Sequence, residues 1–345
     1  MDAKSLVGPA ADLLRRRMGV VIPVYLPDTV DRTVGESLLR DTVAAYCALV
    51  DDPSTVCLTV DGEAFGADVV ACLAREAGIS TSVSDRNLGK LQTVTHGMRH
   101  LPARGSLDYL AVVDQDGDHF ANELLNLVRA ANHISQTLST DRILVLGRRI
   151  SRHRPMGLPR GEIEELCDRV LLDALTYNAA VKQEPLRMEY AFIQEEFPDF
   201  HSGYKLFSSQ TAEAVFHSEQ RTMGTSDVCY YRHAGEAVMA VEAMEDGAYL
   251  GVVNRTTFNE QPISTFGQLN RIELAADKII WPCRRLSIPS PFVVQWMGNH
   301  IPRLLLGTLA PEGKEELERI RERVIASLQD DGPFDAGPVF HPLFV

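Results

Sequence analysis

The stretch Leu110-Ala111-Val112-Val113-Asp114-Gln115-Asp116-Gly117-Asp118-His119 decides how this chain is read. Its first four residues are apolar and read as the end of a buried strand. Asp114, Asp116 and Asp118 follow at once, three carboxylates within five residues. Such crowding is repulsive unless solvent or a cation separates the charges. Oxygen donors in this number suit Mg²⁺ or Mn²⁺, above all where a diphosphate completes the shell. The competing interpretation is a solvated acidic turn. A helix-flanked calcium loop is excluded, because it needs Gly at its sixth position and Glu at its twelfth. Those positions hold His119 and Leu125, and a strand precedes them.

Working outward, apolar runs at 19–25, 55–60, 79–83, 107–113 and 142–147 alternate with helical spacings at 33–50, 67–77, 89–100 and 122–135. Repeated β-α units with near-continuous apolar strands predict an α/β fold. Its Rossmann-like, mostly parallel sheet is flanked by helices. Ligands of such sheets bind beyond the carboxyl ends of the strands, so Tyr25, Asp61 and Asp114 are expected on one rim. The second half is less regular. It has helical spacing at 159–181 and 235–246, a strand at 248–253 and a mixed region at 191–208. The basic stretch 148–160 reads as a mobile loop and a domain boundary. A charged helix over 311–329 has a thin apolar face, which points to surface or subunit packing.

The chain has 345 residues, 45% hydrophobic and 23% charged, an ordinary globular balance. Its net charge of -13 disfavours non-specific nucleic-acid binding. Six cysteines form no C-x-x-C pair, and buried reduced thiols are expected. The N-terminus lacks a secretory apolar core, and residues 286–302 carry three prolines, a poor spanning helix. A cytoplasmic location is expected.

Five stretches occur in the order found in one family. They are Val21-Ile-Pro23-Val24-Tyr25; Val60-Asp61-Gly-Glu63; Arg86-Asn87-Leu-Gly89-Lys90; Asp114–His119; and Asp199-Phe-His-Ser-Gly203-Tyr-Lys205-Leu-Phe207. Together they resemble family 2 glycosyltransferases of the GT-A fold, in particular the polyprenyl-phosphate mannosyl- and glucosyltransferases. The matching motifs there are N-x-G-K-G, D-x-D-G-Q-H and D-x-x-C-G-F-K-L-F. Leu91, Asp118 and Ser202 depart from these patterns, and no spanning helices follow.

The resemblance implies a metal-dependent transfer of a sugar, with inversion, from a nucleoside diphosphate sugar to a small-molecule or lipid-linked acceptor. It implies that Asp116 and Asp118 ligate Mg²⁺ or Mn²⁺, with Asp114 on the ribose or on a metal-bound water. It places Pro23, Val24, Tyr25, Asp61, Glu63, Arg86, Asn87, Lys90, Asp114, Gln115 and Lys205 at the nucleotide sugar. An inverting transfer needs a general base, for which Asp199, Glu195, Glu196 and Asp227 are the candidates. His201, His217 and His233 have no motif support and are expected at the surface or in packing. The implied organisation is an N-terminal helix (1–17), a nucleotide-sugar half (18–150), an acceptor half (151–270) and a C-terminal extension (271–345). Residues 281–309 carry both tryptophans and are candidates for an acceptor cover, a homodimer contact or peripheral membrane contact. Two alternatives stay open. A haloacid-dehalogenase-like phosphohydrolase would read D-x-D-G-T, but Asp118 stands at the Thr. The other is a catalytically inactive sugar-nucleotide-binding protein.

Overall fold

The computed structural model describes residues 3–101, 107–191, 197–258, 260, 270–328, 337 and 339–340. The elements in chain order are α1 (Ala3–Arg16), β1 (Met18–Val24), α2 (Arg32–Cys47), β2 (Val56–Val60), α3 (Ala67–Ala77), β3 (Ser80–Val83), α4 (Lys90–His100) and β4 (Tyr109–Val112). Then come α5 (Leu124–Leu138), β5 (Ile143–Arg149), α6 (His153–Lys182), β6 (Lys205–Ser208), α7 (Ser209–Phe216), a π-helix (Val228–His233), α8 (Gly235–Glu245) and β7 (Tyr249–Arg255). The C-terminal helices are α9 (Arg271–Arg285), α10 (Ser290–His300), α11 (Leu306–Leu309) and α12 (Gly313–Leu328).

One seven-stranded sheet runs β3-β2-β1-β4-β6-β5-β7. The β4–β6 and β5–β6 pairs are antiparallel, and every other pair is parallel. The sheet is therefore mostly parallel, as its buried apolar strands require. Alternate residues feed two cores. Val21, Cys57, Leu110, Leu144 and Phe207 face one side, with α4, α6, α8 and α9. Val20, Ile22, Leu58, Ala111 and Val145 face the other, with α2, α3 and α5.

Two expectations need correction. The stretch 148–160 is not a loop: Arg148 and Arg149 end β5, and α6 starts at His153, kinked at Gly157. Both arginines are buried and hydrogen-bonded, Arg148 to Asn254 and Arg149 to Asp199. Nor is α12 thinly packed. Leu317, Ile320 and Val324 are fully buried in the same core as Ala275 and Ile279 of α9. No helix among the described residues is long and apolar enough to cross a membrane.

Candidate active site

The strand order turns outward in both directions from β1 and β4, and the crevice beyond their carboxyl ends is the expected ligand position. A cavity of about 370 Å³ lies there. It is lined by Pro23, Val24 and Tyr25 after β1, Asp61 after β2, and Asp114, Gln115, Asp116, Asp118 and His119 after β4. Because β6 runs antiparallel, the segment leading into it also arrives at this rim, and brings His201 and Gly203 to the wall. A second cavity of about 440 Å³ sits at the opposite end of the sheet. Arg142 and Ala248, which precede β5 and β7, line it, and no motif residue does.

Short-range bonds shape the rim. The Gln115 amide accepts from Tyr25 N at 3.0 Å and donates to Tyr25 O at 2.7 Å, tying the ends of β1 and β4 together. The Tyr25 ring rests on Phe65, with centroids 4.9 Å apart. The buried Asp61 carboxylate accepts from the backbone amides of Leu88 and Gly89. It thereby fixes the turn that starts α4. Gly89 has φ +126°, and a Cβ there would lie 2.7 Å from the Tyr231 carbonyl oxygen, so only glycine fits. Arg232 spans this turn and donates to the Asn87 carbonyl and side-chain oxygens.

At the centre, Lys90 Nζ lies 2.6 Å from Asp114 Oδ1 and 2.9 Å from Glu236 Oε1. Burial works against this ammonium, but Asp114 and then Glu236 outweigh it and hold Lys90 above its ordinary pKa. Asp114 is in turn held well below the usual carboxylate range, because Lys90 and then His119 overcome its burial. The same competition brings Glu236 down to about 2. Among the described residues no cation stands at contact distance from Asp116. Burial, followed by the Asp114 charge, pushes it up to about 7. Gly203 closes the wall, since a Cβ there would sit 2.5 Å from Asp114 Oδ2.

The third carboxylate is already engaged. Asp118 Oδ2 lies 3.0 Å from Arg255 Nη1, and Oδ1 accepts from Phe258 N at 2.6 Å. The guanidinium also donates to the Asp118 and Gly147 carbonyls. Asp116 Oδ1 accepts from Asp118 N. Among the described residues no group of three or more His, Cys, Asp or Glu side chains is placed to hold a metal ion. Of the three carboxylates expected to hold Mg²⁺ or Mn²⁺, Asp114 carries Lys90 and Asp118 carries Arg255 in this structure.

The remaining expected residues fall outside the cavity wall. Glu63 opens a short 3-10 turn and is exposed, as is Arg86. Lys205 is fully buried and donates to the Phe200 and Ser202 carbonyls, so it does not face a ligand. Burial pushes it down to about 8. Asp199 is also fully buried. It accepts from Arg149 N, Nε and Nη2, and Arg149 followed by Arg152 holds it ionised against its burial. Both oxygens of that carboxylate are taken up by Arg149, and Asp199 does not line the cavity. Asp227 is exposed at the head of the π-helix, away from the cavity. Glu195 and Glu196 lie outside the described residues.

The structure also brings in residues that the motifs did not point to: Arg149, Glu164, His201, His233, Glu236, Arg255 and Lys278. The position of Arg255 at the carboxyl end of β7 was a usable signal. Arg149, which ends β5, carried the same signal, and the others come from helices and turns far apart in the chain.

No family model and no curated protein matches the sequence. Among solved structures, the chain resembles S. aureus TarS 1-349 at 11% identity, with a TM-score of 0.42, over 90% of this chain and 89% of that one. The same TarS segment in complex with UDP gives 12% identity and a TM-score of 0.38, over 90% and 89% of the two chains. A 4-diphosphocytidyl-2C-methyl-D-erythritolsynthase from Anaerococcus prevotii DSM 20548 gives 10% and 0.37, over 78% of this chain and 97% of that one. These likenesses are distant, and the functional reading is carried by the site.

Proposed function

We propose that this chain is a GT-A-like glycosyltransferase that takes its sugar from a nucleoside diphosphate sugar. One observation carries the reading. All five sequence stretches, from Pro23 in the first to Gly203 in the last, send residues to a single cavity at the carboxyl ends of the strands. Tyr25 and Asp61 stand where a base and ribose fit, beside the turn at Asn87. Lys90 and Arg255 supply the positive charge that a departing diphosphate needs as the glycosidic bond breaks. The wall near Arg149, Glu164, His201 and Lys278 is left for the acceptor, a small molecule or a lipid-linked group. Asp114, Asp116 and Asp118 would hold Mg²⁺ or Mn²⁺, and a ligand bond from Asp118 would compete with Arg255.

The test is a thermal-shift panel of UDP, GDP, dTDP and CDP, each with and without Mn²⁺. A ligand at about 100 times its dissociation constant adds roughly 2.7 kcal/mol of stability. A shift with one nucleotide supports the reading and names the base. A Mn²⁺-dependent increment that disappears in Asp116→Ala supports a cation at the acidic cluster. No shift with any nucleotide, together with hydrolysis of p-nitrophenyl phosphate, overturns the reading in favour of a phosphohydrolase.

A further inference from the structure

Inverting transfer requires a base that takes the proton of the attacking hydroxyl. Five of the six carboxylates that line the cavity are held by cations or by two backbone amides, and Asp116 gives one oxygen to a backbone amide. Asp61 holds two backbone amides, Asp114 and Glu236 hold Lys90, and Asp118 holds Arg255. Glu164 binds Arg149, Arg160 and Lys278, and Asp116 caps the amide of Asp118. His119 accepts from Asp114 N through Nδ1 and stacks on Tyr204.

His201 differs from all of these. Its Nδ1 lies 2.7 Å from Asp168 Oδ1, and the same oxygen accepts from His201 N at 3.2 Å. This two-point contact orients the ring and puts the proton on Nδ1, leaving the Nε2 lone pair free. The side chain is fully buried, yet Nε2 has no hydrogen-bond partner among the described residues. A buried nitrogen left orphaned in this way costs free energy unless a ligand completes it. His201 also lines the cavity, and Gly203, two residues on, touches the Asp114–Lys90 pair.

Building on the glycosyltransferase reading, we propose that His201 is the general base of transfer and that Asp168 positions it. The acceptor oxygen forms its bond to the anomeric carbon while its proton passes to Nε2. The bond from that carbon to the diphosphate oxygen breaks, and its electron pair leaves with the nucleoside diphosphate. Asp168 then faces the imidazolium, as in other carboxylate–histidine pairs. His233 forms a second such pair, with Nδ1 2.6 Å from Asp277 Oδ2, and is the competing base on the same cavity.

The experiment measures release of nucleoside diphosphate from UDP-glucose, GDP-mannose, dTDP-glucose and CDP-glucose, with water as acceptor. His201→Gln is expected to lower kcat about 100-fold or more while leaving the donor KM within about threefold. His201→Gly should regain part of its turnover with added imidazole, which a merely structural histidine would not show. Asp168→Asn, checked for folding by circular dichroism, should lower kcat with the donor KM unchanged. Full turnover by folded His201→Gln, or a loss confined to His233→Gln, overturns the assignment but leaves the glycosyltransferase reading standing. If the wild-type chain neither binds nor turns over any donor, both fall together.

Discussion

Two ion clusters stand at the same rim of the sheet, beyond β4 and at the end of β5, and are built alike. Lys90 sits between Asp114 and Glu236, as Arg149 sits between Asp199 and Glu164. They differ in access. The first three side chains keep 27%, 30% and 15% of their surface exposed, whereas the second three keep 6%, 0% and 3%. A ligand's charge can therefore join the Lys90 cluster directly, while Arg149 and Glu164 reach the cavity wall with their charges already spent on each other and on Asp199. Residue type and motif membership do not separate the two, because Asp114 and Asp199 both belong to motif stretches. Solvent access does.

Breaking the buried cluster should have the largest effect. Arg149→Met removes the cation that two buried carboxylates share, and urea titration should show a loss of about 3–5 kcal/mol. A loss below about 1 kcal/mol would mean that Asp199 is more open than the wall suggests.

Lys205 sharpens the same contrast through pH. Its pKa is pushed from 10.5 down to about 8 by burial. Between those values the unfolded chain carries the proton and the folded chain does not. The contribution of this group to stability therefore rises with pH across that window, by roughly 3 kcal/mol in all. Lys205→Met should remove that rise, as seen by comparing urea midpoints at pH 8 and pH 10 with the wild type. Equal slopes would show that Lys205 stays charged in the fold.

The open cluster should respond in binding more than in folding. Lys90→Met is expected to weaken the nucleotide that shifts the wild type by about 10- to 100-fold, as loss of a charge-assisted hydrogen bond does. Unchanged affinity by calorimetry would separate the cluster from the diphosphate. At the small end, Arg15 and Asp51 pair at 2.7 Å on the surface with side chains 61% and 40% exposed. Asp51→Asn should cost less than about 1 kcal/mol, and a larger loss would undo the ranking by exposure.

Much of the architecture was legible because strand and helix periodicity are local. The runs at 19–25, 55–60 and 107–113 became β1, β2 and β4, and the polar residues that end them do line one cavity. The basic stretch 148–160 departs from the expected loop for a physical reason. Charge density suggests solvent, but Arg148 and Arg149 are buried and find partners 106 and 50 residues away. The thin apolar face of α12 was likewise judged without the partner helix that covers it.

The amino-acid sequence alone determined the alternation of strands and helices, and hence an α/β sheet with its acidic residues at the strand ends. Backbone propensity and hydrophobic period act over a few residues, so they can be read from the chain. Only the tertiary structure decided which charges face a ligand and which are spent on each other. His201 meets Asp168 across 33 residues, and Arg255 meets Asp118 across 137. Such pairs depend on the antiparallel entry of β6 and on the edge position of β7, which the topology of the whole sheet sets.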